Sequence, residues 1–158
     1  LSGTNTSSLL GEKAMSDALA NQPAESEILR TFDEYLLASI SLDEKRVAAC
    51  YDEPFMYVSA ERSAAVAARA DAQAFLRPGF KALQEAGYTK TEFPVLRSQS
   101  VGTGLAVVSG AGVRYAKDGT QLATFGVTHI WRKRPEGWRL AVTTVHDPKR
   151  PLALPQGM

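Results

Sequence analysis

The chain's two histidines, His129 and His146, are the side chains best suited to proton transfer near neutral pH. Each ends up on a strand in the reading developed below, so each is either a hydrogen-bonded wall residue or a candidate general acid or base. Arg97 and Arg114 also fall on strands, where a guanidinium turned toward an apolar face needs an anionic partner. That partner can be a helix acid such as Glu34 or Asp71, or the carboxylate of a bound molecule. Trp131 offers a flat face on which an aromatic ligand can stack. Cys50, the only cysteine, has neither a histidine nor a basic cluster beside it, so it is not expected to act as a nucleophile. Gly102-Thr103-Gly104 lacks the helix that a nucleotide-binding glycine loop requires, and Ser59 and Ser63 lack a nucleophile-elbow context. No cofactor is expected.

These residues are positioned by a helical first half and a stranded second half. Ile28, Leu29, Phe32, Leu36 and Ile40 repeat with helical spacing, predicting a helix over Ser26 to Ser41. A short helix is expected over Leu42 to Ala49, stopped by Asp52-Glu53-Pro54, whose acids are expected in a solvated turn. Phe55 to Ser59 reads as a short strand, with Ser63 to Ala68 as its partner. Asp71 to Ala86 reads as a third helix closed by Gly87, and Pro78-Gly79 predicts a kink or break near Arg77. From Tyr88 onward the period changes to two. Four antiparallel strands are expected: Thr89–Val101, Leu105–Lys117, Thr120–Arg134 and Gly137–His146. Asp118-Gly119 is a hairpin signal.

Alternation then sorts side chains by face. Pairing Trp131 with Leu140 and His129 with Val142 requires an even-numbered loop around Arg134–Gly137. It gathers Phe93, Val95, Arg97, Val108, Gly110, Gly112, Arg114, Phe125, Val127, His129, Trp131 and His146 on one inner face under the helices. Arg97 then stands two strands from His129, about 9.6 Å away, so that a carboxylate can bridge them. Trp131 and Trp138 are expected in the core, and Trp131, near the mouth of the cone, can also stack on a flat ligand. Gly110 and Gly112 mark a bulge or open room for a cavity. The two histidines stand about 14 Å apart along the strands, too far to share one metal with bonds of about 2.1 Å. No metal site is expected. The opposite face, with Ser109, Thr128, Ile130 and Thr143, is small, flat and nearly uncharged. A homodimer through this outer face is the expected assembly.

With 158 residues the chain reads as one domain. Its 18 basic and 17 acidic residues nearly cancel, which does not favour nucleic acid or a membrane surface as partner. No apolar run approaches the roughly 20 residues of a membrane helix. A lone cysteine suits a cytoplasmic location. Residues 1–14 are expected to be a linker added before a native start at Met15. Residues 15–25 are read as a loose lead-in, 26–148 as the domain and 149–158 as an irregular proline-containing tail.

The element order and the run Gly137-Trp138-Arg139-Leu140, with Asp52-Glu53-Pro54-Phe55 before the first strand, resemble the nuclear-transport-factor-2-like superfamily. Uncharacterised SnoaL-like domains share its Glu-Pro-Phe and His-Asp elements. The resemblance spans about Ser26 to Asp147. It implies an α+β fold, a cone-shaped curved antiparallel sheet with N-terminal helices packed on its concave face. Isomerases of this fold use a carboxylate base and two proton donors. Tyr35 falls where the tyrosine donor would sit, but the base position near Ser59 has no acid, and the second donor position falls near His129. Dehydratases of this fold use histidines and tyrosines, types supplied here by His129, His146, Tyr35 and Tyr57. Three readings follow. In the first, an apolar pocket binds a small acidic or aromatic molecule through Tyr57, Arg97, Arg114 and Trp131. In the second, the chain is a cofactor-free isomerase, dehydratase or cyclase using His129, His146 and Tyr35. In the third, it is a non-catalytic interaction domain. The fold alone does not choose among them.

Overall fold

A computed structural model describes residues 26–154 of the chain. The expected linker and the lead-in, residues 1–25, lie outside the described residues, as do residues 155–158 of the expected tail. Helix α1 covers residues 26–40 and buries Ile28, Phe32 and Ala38. Helix α2, Glu44–Ala49, is capped by Asp43, whose carboxylate accepts from the Arg46 N–H at 3.1 Å. Strands β1 (Tyr51–Val58) and β2 (Ser63–Val66) follow, then a short 3-10 turn and helix α3 (Ala72–Glu85). The long strands are β3 (Tyr88–Ser100), β4 (Leu105–Ala116), β5 (Gln121–Arg134) and β6 (Gly137–His146).

The strands form one curved sheet in the order β2-β1-β6-β5-β4-β3. It is antiparallel except where β1 runs parallel to β6. The helices cover its inner face. Phe32 of α1 meets Phe93 at 5.2 Å between ring centroids, and Tyr35 meets Trp131 at 5.8 Å. The α+β fold expected from the sequence is the one observed.

Three departures from the sequence reading have local causes. Helix α3 runs unbroken through Pro78. Its end is as expected, with Gly87 at φ +78°. Asp52 and Glu53 belong to β1 rather than to a solvated turn. Asp52 is buried, and its carboxylate lies 3.5 Å from the Arg132 guanidinium and 3.8 Å from that of Arg134. Two cations on β5, beyond β6 in the sheet, make that burial tolerable.

The third departure is in register, and it moves the candidate site residues. Trp131 pairs with Leu140, and Pro135-Glu136 form the two-residue loop expected. One extra residue in β6 then makes Ile130 pair with Val142 and His129 with Thr143. Beyond this bulge every β6 side chain changes face. Strand β3 carries a similar irregularity between Glu92 and Val95, around Pro94. Proline donates no ladder hydrogen bond, and β3 is an edge strand where that is tolerated. The result pairs Leu96 with Gly110 and Arg97 with Ser109. Gly110 permits this, because a Cβ there would collide with the Val95 carbonyl oxygen. Between β4 and β5, Arg114 pairs with Ala123 and Gly112 with Phe125, the expected register.

Candidate functional site

A cavity of about 530 Å³ lies between the inner face of the sheet, α1 and α3. Its apolar walls come from Phe55, Phe75, Leu76, Phe80, Phe93, Phe125 and Val127. Two glycines make room for it. Gly79 has nothing within 4 Å of where a Cβ would stand, and a Cβ on Gly112 would meet the Phe125 ring at 2.6 Å. The polar groups in the wall are mostly hydroxyls, those of Tyr35, Ser39, Tyr51, Tyr57, Tyr88, Thr91 and Thr143. The charged residues are Arg62 and Arg114; no aspartate or glutamate is among the lining residues.

Arg114 is partly buried on β4, with its guanidinium 4.1 Å above the centre of the Phe125 ring. Among the described residues it has no carboxylate within ion-pair distance. Burial pulls it below the usual guanidinium range, an effect opposed by Tyr88, Tyr35 and Tyr57 nearby. An arginine so placed remains charged. Arg62 stands exposed over Tyr57 and Phe75, 5.0 Å and 5.6 Å from the two ring centres. The Tyr88 and Thr91 hydroxyls share a 2.6 Å hydrogen bond.

His129 lines the cavity but is otherwise fully buried, among Phe32, Tyr35 and Trp131. Burial without a nearby anion pushes its pKa down to about 3, so it is neutral across the physiological range. Its Nδ1 has no hydrogen-bond partner among the described residues. Tyr35 stands edge-on to it at 5.5 Å, and burial raises the Tyr35 phenol to about 12.

The cavity therefore collects four of the seven residues singled out in the sequence: Tyr35, Tyr57, Arg114 and His129. Trp131 is a core residue, completely buried beneath Tyr35 and His129, and does not offer its face at a mouth. Arg97 and His146 are on the opposite face, because the irregularities in β3 and β6 invert the alternation that had placed them inside. Arg97 reaches the Leu152 carbonyl at 3.5 Å. His146 Nε2 is 2.7 Å from the Thr128 hydroxyl, and its ring lies against Gly126, where a Cβ would come within 2.5 Å of Nδ1. The bridge between Arg97 and His129 does not form. Sequence reasoning missed Arg62, Tyr88, Thr91 and Thr143. Thr91 carried a usable signal, since it alternates with Phe93, whereas Tyr88 lies beyond an irregularity between Tyr88 and Lys90 and Thr143 is brought inward by the bulge in β6. No group of three or more metal-ligating side chains occurs among the described residues, and none of the described helices is long and apolar enough to cross a membrane.

Solved structures with the same fold are similar to the chain at low identity. An NTF2-like protein with a cystatin-like fold from Novosphingobium aromaticivorans is 17% identical with a TM-score of 0.63, covering 92% of this chain and 91% of its own. A domain of unknown function with a cystatin-like fold from Nostoc punctiforme is 18% identical with a TM-score of 0.64, covering 79% and 77%. A ketosteroid isomerase-like protein from Erwinia carotovora is 17% identical with a TM-score of 0.60, covering 79% and 96%. These likenesses establish the fold alone. No curated protein matches the chain. A family profile described as NTF2-like protein (DUF6841) matches residues 25–148.

Proposed function

The chain belongs to the NTF2-like DUF6841 family, and on that premise we propose that it binds a small aromatic or apolar acid in the cavity beneath α1 and α3. The observation that carries this reading is Arg114, a partly buried guanidinium inside an apolar cavity with no acid in its wall. A cation in such surroundings gains most from an anion brought in by a ligand, since the low local dielectric strengthens the pair. The cavity volume of about 530 Å³ falls within the usual range for small-molecule sites. The rings of Phe55, Phe75, Phe93 and Phe125 suit an aromatic body.

Binding is favoured over turnover. At neutral pH His129 has no imidazolium proton to give as a general acid, and its lowered pKa makes it a weak base. Tyr35 keeps its proton, and no lining carboxylate takes the role of base. The lone Cys50 fits a cytoplasmic setting. The assembly we propose is a homodimer through the outer face. A row of partly exposed apolar side chains, Met56, Val142, Ile130 and Val107, crosses that face.

The test is calorimetry with 2-naphthoate and its uncharged analogue 2-naphthalenemethanol. The acid should bind at least about tenfold more tightly, as one charge-assisted pair would give. Arg114→Gln should remove that preference while leaving the alcohol's affinity unchanged. Equal affinities in the unaltered protein, or a preference that survives Arg114→Gln, would sink the reading.

A further inference from the structure

Resting on that reading, we infer that the cavity holds a second, uncharged polar subsite formed by His129 and Thr143, which binds a hydroxyl or carbonyl oxygen of the same ligand. The ligand class becomes an aromatic acid with a neutral oxygen on its body.

Two orphaned atoms carry this assignment. His129 Nδ1 and Thr143 Oγ1 are buried without a hydrogen-bond partner among the described residues, and both residues line the cavity. The remaining orphans, on Trp131, Trp138, Arg134 and Arg139, belong to residues outside the cavity wall. The residues are 1% and 8% exposed, so bulk water does not satisfy these atoms. They are also neighbours, since His129 and Thr143 are paired across β5 and β6. The next residue in that cross-strand row is Tyr57, paired with Thr143 and also in the wall.

The β6 bulge creates this juxtaposition. Unbroken alternation would set Val142 against His129 and leave the imidazole facing a hydrocarbon. The extra residue instead turns a hydroxyl inward. Bulges often re-aim a side chain beside a site. A buried polar atom left unpaired is costly, and a ligand group that pairs with it gains selectivity over an analogue lacking that group.

The chemistry of the subsite selects a neutral group. A threonine hydroxyl donates or accepts, and an uncharged imidazole presents one N–H and one lone pair. A ligand hydroxyl can accept from one and donate to the other; a carbonyl can accept from both. A second carboxylate is disfavoured, because Phe32, Tyr35 and Trp131 surround His129 and offer no cation. Of the two cations in the wall, Arg62 stands exposed over Tyr57, and the partly buried one, Arg114, is six residues from the partner of His129 along β4. That separation asks for an elongated molecule, acid at one end and neutral oxygen at the other.

The experiment compares parent, hydroxy and formyl acids on two scaffolds of different length: 2-naphthoate with its 6-substituted forms, and biphenyl-4-carboxylate with its 4′-substituted forms. Dissociation constants are measured for the unaltered protein and for Thr143→Val, which keeps the side-chain shape. On the better scaffold the hydroxy or formyl acid should bind about tenfold more tightly than the parent. Thr143→Val should cut that preference, taken as the ratio of the two dissociation constants in the same variant, to about twofold or less. The hydroxy or formyl acid should move the His129 ring nitrogen resonances further than the parent acid does, as a hydrogen bond to the added oxygen would. Parent acids that bind without an oxygen preference, or a preference that persists in Thr143→Val, would overturn the subsite and leave the anion site standing. Failure of every acid to bind would overturn both.

Discussion

His129 illustrates how burial sets a residue's chemistry. In water an imidazole titrates near 6.5, but here removal from solvent without a neighbouring anion takes it to about 3. The sign of the linked stability follows. Between about 3 and 6.5 the unfolded chain binds a proton at this position and the folded chain does not. Stability contributed by the neutral imidazole is therefore full above 6.5 and is lost as pH falls below it. Within that window the slope should approach about 1.4 kcal/mol per pH unit for this one group. Denaturant unfolding at pH 5.0, 5.5 and 6.0 should show the fall in the unaltered protein and a shallower one in His129→Gln. The His129 ring proton resonances should stay unchanged from pH 8 to pH 5. A midpoint near 6 in those resonances would mean the ring is solvated, and the cavity wall would need redrawing.

At the scale of elements, strand order, helix placement and most of the inner face were legible from hydrophobic period and turn chemistry. Phe93, Phe125, Val127, His129 and Arg114 all point where alternation puts them. Arg97 and His146 do not, because one residue inserted into a strand reverses everything beyond it, and alternation alone carries no mark of the insertion. Pro94 was the one visible hint in β3; β6 offered none. The displaced residues have a role on the outer face. There the Leu152 N–H donates to the Ser109 hydroxyl at 2.9 Å, Ser109 lies 2.9 Å from Thr128, and Thr128 lies 2.7 Å from His146 Nε2. Ser109 is completely buried, so residues 151–154 act as a strap across β4. Ser109→Ala should free the Leu152 amide, raising its hydrogen-exchange rate at least about tenfold, and should cost roughly 1 kcal/mol in global stability. An unchanged Leu152 exchange rate would show that the strap is held by other contacts.

At the scale of the whole molecule, the two faces of the sheet divide the work. The inner face is covered by helices, and the cavity lies between them and the sheet. The outer face is closed only in part, by the strap near Ser109. Beside it, Met56, Val142, Ile130 and Val107 form an apolar row that α1 and α3 cannot reach. Met56 is 38% exposed, and Leu105 and Leu152 at the edge of the same face are 38% and 47% exposed. A second copy packed on this row would cover them with side chains of matching character. The strap would restrict the contact to one end of the sheet. Sedimentation at tens of micromolar protein should give twice the mass of the chain, and Met56→Asp combined with Val107→Asp should give the single-chain mass. Both substitutions point away from the cavity, so the affinity for 2-naphthoate should survive dissociation. A single-chain mass in the unaltered protein would refute the dimer and leave the cavity reading untouched. A dimer whose dissociation abolishes naphthoate binding would mean that the outer face holds the inner one in shape.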